Sequence, residues 1–302
     1  MENEIQQNII NHIEKQLNIK TVGVEIPPQG MSSKVFFITG EDGTEIAVKY
    51  GKDAINDISA LQLIQKEKIN IAVPKIYGYF KFENTSVILL ERIKYPLLDS
   101  IPVNQMHKYI PSMVNNLKEL HKITSPRAGL LTEHHRDKKW KDILLSIFNG
   151  EDFNWEEIVK RDYLNKDLIL KSVENIIKKI NSTNMEFDRY SLMHTDFNQR
   201  NLFVDQHSDN IAGIIDWEEA MFGDPIYDFA RVRMYIWHFN MNEDVIFKYY
   251  KLMNYSPDER GREDLYWLSR IVQYLAWYSE EFNDFNIGRI ELHQEFLRRD
   301  IW

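Results

Sequence analysis

The hydrophobic period of this chain changes once, near residue 95, and that change limits the folds open to it. Before it, short stretches rich in β-branched and aromatic residues recur at Thr21–Ile26, Lys34–Thr39, Glu45–Tyr50, Ile76–Phe82 and Ser86–Glu91. Such stretches, bounded by turn residues, read as strands. Gly40-Glu41-Asp42-Gly43 and Glu83-Asn84-Thr85 supply hairpin turns, the glycines because they tolerate positive φ. Asp53–Lys68 reads as a helix that Val73-Pro74 stops. After Asn104 the apolar residues repeat at helical spacing: Ile169, Val173, Ile176, Ile177 and Ile180 share one helix face, and similar stripes run through Met106–His121, Pro257–Phe282 and Arg289–Arg298. The exception is Asn201–Asp216, where Leu202-Phe203-Val204 and Ile211–Ile215 read as a strand pair. The expected chain is α+β in two parts. Residues 1–95 form a five-stranded antiparallel sheet with one helix, residues 96–302 are mainly helical, and Ile93-Lys94-Tyr95-Pro96 is the hinge.

Composition excludes several functions. With no cysteine among 302 residues, the chain has no disulfide framework, thiolate metal site or cysteine nucleophile. Its net charge of -9 argues against a broad nucleic-acid surface. Residues 1–100 hold 13 acidic and 11 basic side chains, so the remainder carries -7 of that charge. Most of it is a solvated surface; the sharper reading is a polycationic ligand docking in the C-terminal half. Met1–Lys20 is polar, with Ile5, Ile9, Ile10, Ile13 and Leu17 at helical spacing, and lacks the apolar stretch of a secretory signal. No stretch approaches the roughly 18 apolar residues of a membrane span. A cytoplasmic protein, monomeric or weakly dimeric, is the expectation.

The chemistry concentrates between His194 and Ala230. The chain reads His194-Thr195-Asp196-Phe197-Asn198-Gln199-Arg200-Asn201, then Ile214-Ile215-Asp216-Trp217-Glu218-Glu219. Polar loops are common, and Asp and Asn are ordinary turn formers. A match of four fixed residue types at this spacing arises by chance in only roughly 10⁻³ to 10⁻² of chains this long. Phosphoryl transfer is mostly positioning and charge neutralisation. A carboxylate such as Asp196 can orient an acceptor hydroxyl and take its proton. Asn201 and Asp216 can hold Mg²⁺, which prefers hard oxygen ligands.

These residues resemble the aminoglycoside phosphotransferase branch of the protein-kinase-like fold. His194-x-Asp196 with Asn201 matches the catalytic loop of that family, and Ile215-Asp216-Trp217 matches its metal loop. The run Ile215–Asp224 is especially similar to hygromycin B phosphotransferases, and the resemblance covers residues 20 to 300. It implies a two-lobed fold, with a small β-rich N-terminal lobe binding nucleotide and a larger helical C-terminal lobe carrying the catalytic loop, metal loop and substrate site. It also implies ATP or GTP as phosphoryl donor with Mg²⁺, and an acceptor hydroxyl on a small molecule.

The N-terminal part can be read against that resemblance. Lys49 of Ala47-Val48-Lys49 ends a strand where the family places its phosphate-gripping lysine. Gln29–Lys34 is the matching turn, with Ser32 and Ser33 offering hydroxyls and backbone amides. The acid that pairs with this lysine in the family falls near Ser59 when counted back from Val73-Pro74-Lys75; Asp57 is the nearest acid, and Glu67 lies further along. Leu89–Ile93 resembles the adenine-binding hinge, where the backbone from Glu91 to Ile93 would meet the base.

For a cationic acceptor the candidate ligands are Glu218, Glu219, Glu280, Glu281 and Asp284. His194 reads as a loop residue, His134-His135 as surface, Asp224 and Asp228 as turn and helix-cap acids, and Trp217, Trp237, Trp267 and Trp277 as core or groove wall. The favoured activity is phosphorylation of an aminoglycoside antibiotic, conferring resistance. The alternatives are a kinase of another small alcohol (macrolide, choline or homoserine) and a catalytically silent pseudokinase.

Overall fold

A computed structural model describes all residues except 1, 28–32, 53, 133–138, 281–282 and 300–302. In chain order it begins with α1 (Glu2–Leu17), β1 (Thr21–Glu25), β2 (Lys34–Gly40), β3 (Glu45–Gly51), α2 (Ala54–Glu67), β4 (Ile76–Phe82) and β5 (Thr85–Glu91). The short α3 (Val103–Met106) and α4 (Ile110–Leu120) follow, then β6 (Thr124–Ser125), β7 (Gly129–Leu130), α5 (Trp140–Phe148), α6 (Trp155–Ile158) and α7 (Lys166–Ser182). The remainder is β8 (Tyr190–Met193), β9 (Leu202–Asp205), β10 (Asn210–Ile214), β11 (Met221–Gly223), α8 (Ile226–His238), α9 (Glu243–Met253), α10 (Pro257–Tyr278) and α11 (Asp284–Arg299).

Contacts group the chain into two compact units. One is Met1–Leu120 with Asn198–Ala220; the other is His121–Phe197 with Met221–Trp302. They depart from the linear division at residue 95 for a local reason. The β9–β10 pair is stitched to the earlier chain by backbone bonds from Val204 N to Pro96 O (2.9 Å) and from Ile214 N to Ala72 O (2.7 Å). On α4, the Ser112 hydroxyl accepts from Ile211 N at 2.9 Å.

In the first unit the five expected strands form one antiparallel sheet in the order β1-β2-β3-β5-β4. Alternation along a strand sends successive side chains to opposite faces. Ile46 and Val48 of β3, with Val87 and Leu89 of β5, join Ile9, Ile10 and Ile13 of α1 in a buried cluster. Lys49, one residue on from Val48, therefore faces the other way, towards α2. The tight turn after β2 puts Gly43 at φ 81° while the Asp42 carboxylate accepts from Thr44 N at 2.9 Å. Gly213 of β10 has a different task, because a Cβ there would stand 2.4 Å from the Ile93 side chain.

The second unit packs α7, α8 and α11 against α10 and α5 against α7. Its small sheet runs β6-β8-β11-β7. These strands of two to four residues are too short to show a period, and the sequence did not reveal them. α10 starts at a capping box between Ser256 and Glu259 with Pro257 in its first turn, a strong helix start. It ends at Tyr278, short of the expected Phe282. No described helix is long and apolar enough to cross a membrane.

Candidate active site

The first unit gathers three carboxylates around one ammonium group. Lys49 Nζ lies 2.8 Å from Asp57 Oδ2, 2.7 Å from Asp216 Oδ1 and 3.0 Å from Glu218 Oε1. Lys49 is 8% exposed. Burial alone would lower its pKa, but the charges of Asp57, Asp216 and Glu218 overcome that and raise it, so the ammonium stays charged. Asp57 is 1% exposed, and burial pushes it up to about 6 against the pull of Lys49. The pair is ionised at neutral pH.

α2 also fixes the loop that carries Asp216. Asp57 Oδ1 accepts from Trp217 N at 2.8 Å. Its neighbour Asn56 donates through Nδ2 to the carbonyls of Glu218 (2.7 Å), Ala220 (2.9 Å) and Trp217 (3.3 Å). Both residues are buried, and their contacts satisfy backbone groups of the loop. Asp216 itself has φ 68°, a left-handed conformation that is uncommon for a residue with a Cβ and clusters at functional sites. Asn201 is joined to the same strand end, its carbonyl accepting from Ile215 N at 3.0 Å.

A cavity of about 300 Å³ opens beside the Glu91–Tyr95 segment, lined also by Val73 and Ala212. The expected hinge residues Glu91 and Ile93 both line it. Glu91 N donates to Lys75 O at 2.8 Å, and Lys75 N donates to the Glu91 carboxylate at 3.2 Å, which anchors the start of the segment.

Asp196, the expected catalytic residue, belongs to the second unit. Arg231 of α8 donates to its Oδ1. Asp228, buried on the same helix, accepts from His194 N at 2.9 Å, Thr195 N at 2.8 Å and His121 Nε2 at 3.0 Å. Burial opposes its charge, but the bonds from His121 and from the His194 amide hold its carboxyl below the usual range. Thr195 has φ 65°, and Arg270 of α10 donates to its carbonyl at 2.8 Å. Asp224 caps Ile226 N and accepts from Arg262 and Tyr266.

Among the expected residues, Lys49, Asp57, Asp216 and Glu218 are brought together, and Ser33 donates to Glu218. Glu218 thus faces Lys49, and Ser59 turns its hydroxyl onto Ile55 O. Glu219 and Asp284 are exposed, and Glu280 lies 4.0 Å from Arg161. Ser32, Glu281, His134 and His135 fall outside the described residues. Trp217 is fully buried and Trp267 nearly so. Sequence reasoning missed Asn56 and Arg231 and read Asp228 only as a cap. For Arg231 the available signal was a charged residue inside an apolar helical stretch, between Ala230 and Val232; Asn56, flanked by Ile55 and Asp57, carried no such signal.

Residues 23–266 match the phosphotransferase enzyme family, and the chain belongs to that family. Over 94 residues it is 27% identical to the hygromycin-B 4-O-kinase of Escherichia coli, covering 31% of this chain and 25% of that protein. The alignment therefore spans a quarter of that relative's length. Among solved structures, a thermostable mutant of aminoglycoside phosphotransferase APH(4)-Ia, in ternary complex with AMP-PNP and hygromycin B, aligns with TM-score 0.73 at 15% identity over 96% of each chain. The GDP and kanamycin complex of APH(2")-IIIa aligns with TM-score 0.66 at 13% identity over 99% of this chain and 100% of that one. At these identities the likeness is one of fold: the α+β, two-lobed protein-kinase-like architecture.

Proposed function

We propose that this protein transfers the γ-phosphoryl group of ATP or GTP to a hydroxyl of a small molecule, with an aminoglycoside as the favoured acceptor and antibiotic resistance as the outcome. The observation that carries the reading is the Lys49 cluster: a buried strand lysine held between an acid of α2 and the acids of the Asp216 loop. The family match and the fold shared with aminoglycoside-bound enzymes support it.

Lys49 is charged and rigidly held, suited to gripping nucleotide phosphates. Residues 1–95 serve as the nucleotide lobe, with the base beside Glu91–Ile93 and the phosphates near Ser32 and Ser33. Residues 96–302 carry the remaining machinery. The donor set fits Mg²⁺: Asp57, Asp216 and Glu218 each offer a carboxylate oxygen within 4.8 Å of the others, and three acids outweigh the single charge of Lys49. Asp57 also accepts from Trp217 N; the family resemblance assigns the ion to Asp216 and Asn201, and Glu218 shares the Lys49 ammonium with Asp216. The bound ion would neutralise phosphate charge as the transfer proceeds. Asp196 orients the acceptor hydroxyl and receives its proton. Glu219, Glu280, Glu281 and Asp284 are the acids on offer to a polycationic acceptor.

The test is a coupled nucleotide-consumption assay with ATP and GTP across aminoglycosides, macrolides and small metabolic alcohols. Turnover with an aminoglycoside, and a KM for it that rises with ionic strength through screening, is expected. Turnover only with a neutral alcohol would replace the acceptor class, and nucleotide binding without turnover on any acceptor would replace the enzyme reading.

A further inference from the structure

Arg231 lies in the second turn of α8, and its side chain is 4% exposed. Nη2 donates to Asp196 Oδ1, and Nη1 donates to the Tyr274 hydroxyl on α10. The guanidinium also lies over the Tyr274 ring, 5.3 Å from its centroid. Asp196 is different: its side chain is 32% exposed. A buried cation, fixed from behind by a second helix, thus holds a partly exposed anion.

The placement on α8 is informative. Asp228 and Arg231 are three residues apart and so share a helix face. Asp228 takes the backbone amides of His194 and Thr195, while Arg231 takes the side chain of Asp196. From α10, Arg270 holds the Thr195 carbonyl. The backbone leading to Asp196 is thereby immobilised by two helices. The terminal torsion of a carboxylate is intrinsically broad. A guanidinium aimed at one oxygen narrows it.

We propose that Arg231, backed by Tyr274, is a positioning residue for phosphoryl transfer that fixes the rotation of the Asp196 carboxylate. The proposal rests on Asp196 being the catalytic carboxylate. In the step it serves, the acceptor oxygen forms a bond to the γ-phosphorus. The bond from that phosphorus to the β–γ bridging oxygen breaks, its electron pair leaving on the nucleoside diphosphate. The hydroxyl proton passes to the Asp196 carboxylate. Arg231 acts through Asp196 and leaves nucleotide binding to the other unit.

The test uses the full chain and an acceptor identified by the panel above. Arg231→Gln should lower kcat about 10–100-fold, the scale of a displaced reacting group, with the nucleotide KM held within about twofold. Arg231→Lys should recover part of the loss, since it keeps the charge and loses the second nitrogen. Arg231→Ala should be partly rescued by millimolar guanidinium chloride and not by urea, a neutral molecule of similar shape. Tyr274→Phe keeps the buried charge and loses only the rear anchor, so it should fold and show a smaller fall in kcat. Wild-type kcat in Arg231→Gln and Tyr274→Phe overturns the proposal. A fall that neither lysine nor guanidinium relieves, in protein shown folded by circular dichroism, also overturns it. If the Arg231 variants do not fold, an unchanged kcat in Tyr274→Phe is sufficient to do so. Wild-type protein that turns over no acceptor defeats the underlying reading of Asp196 instead, and this proposal with it.

Discussion

Stability should fall steeply with acid, and the cause should be two histidines. His238 of α8 and His293 of α11 face each other with Nε2 atoms 3.2 Å apart. His293 Nδ1 lies 2.6 Å from Arg289 O. A carbonyl only accepts, so Nδ1 carries the hydrogen and neutral His293 presents a bare Nε2; His238 must then donate from its own Nε2. A second proton on either ring would place two N–H groups head to head. Burial, then His293, Arg289 and Arg231, push His238 down to about 2; burial chiefly, with the Arg289 charge, pushes His293 down to about 4. The ordinary value is 6.5. Below pH 6.5 the unfolded chain takes up protons that the folded chain refuses, so stability is full above pH 6.5. It is lost as pH falls, down to about 4 for His293 and about 2 for His238. At pH 5 each ring costs about 2 kcal/mol relative to neutral pH, and the two together about 4 kcal/mol. Urea unfolding of wild type, His238→Gln and His293→Gln at pH 7.5 and pH 5 measures this. Each substitution should shrink the acid-induced loss by about 2 kcal/mol, whatever it does to stability at pH 7.5. An equal loss in wild type and both variants would refute the reasoning.

Other perturbations address the site. Asp196→Ala should lower kcat by about 10²–10⁴, the range for a lost general base, while a nucleotide titration stays at the wild-type affinity. Asp216→Ala should remove the Mg²⁺ dependence of nucleotide binding, read by titration with and without the ion. Lys49→Met strands Asp57 in the interior and should destabilise the protein by about 3–5 kcal/mol; adding Asp57→Asn should restore much of the urea midpoint and none of the kcat. Asp228→Asn keeps the shape and loses the charge that binds two amides and His121, and should cost about 1–3 kcal/mol in denaturant along with a drop in kcat.

The legible parts of the molecule were those governed by local chemistry. The β1–β5 strands show an alternating or continuous apolar pattern and end in turn residues, so their bounds fell within a residue or two. The β9–β10 pair carried enough apolar character to stand out of a helical region. The small sheet was illegible because two residues such as Thr124-Ser125 hold no period. The partner of Lys49 shows a subtler limit. Counting from Val73-Pro74 placed the acid near Ser59, two residues from Asp57. Two residues around a helix is about 200°, which separates a side chain aimed at β3 from one that returns to its own helix at Ile55. Arg231 was hidden for another reason. Its meaning depends on Asp196 and Tyr274, 35 and 43 residues away in the chain, and helical spacing alone reports a charged residue inside an apolar stripe without naming what it meets.

The division of the first unit has a consequence for how the protein is made. Its last pieces, Asn198–Ala220, reach the ribosome's exit long after Leu120, with His121–Phe197 translated in between. At the usual 5–20 residues per second, translation of that interval and its closing segment takes roughly 5–20 s. For that time the nascent strands stand without Asp216 and Glu218, and Lys49 and Asp57 have only each other. Slowed elongation across residues 121–220 would lengthen this exposure.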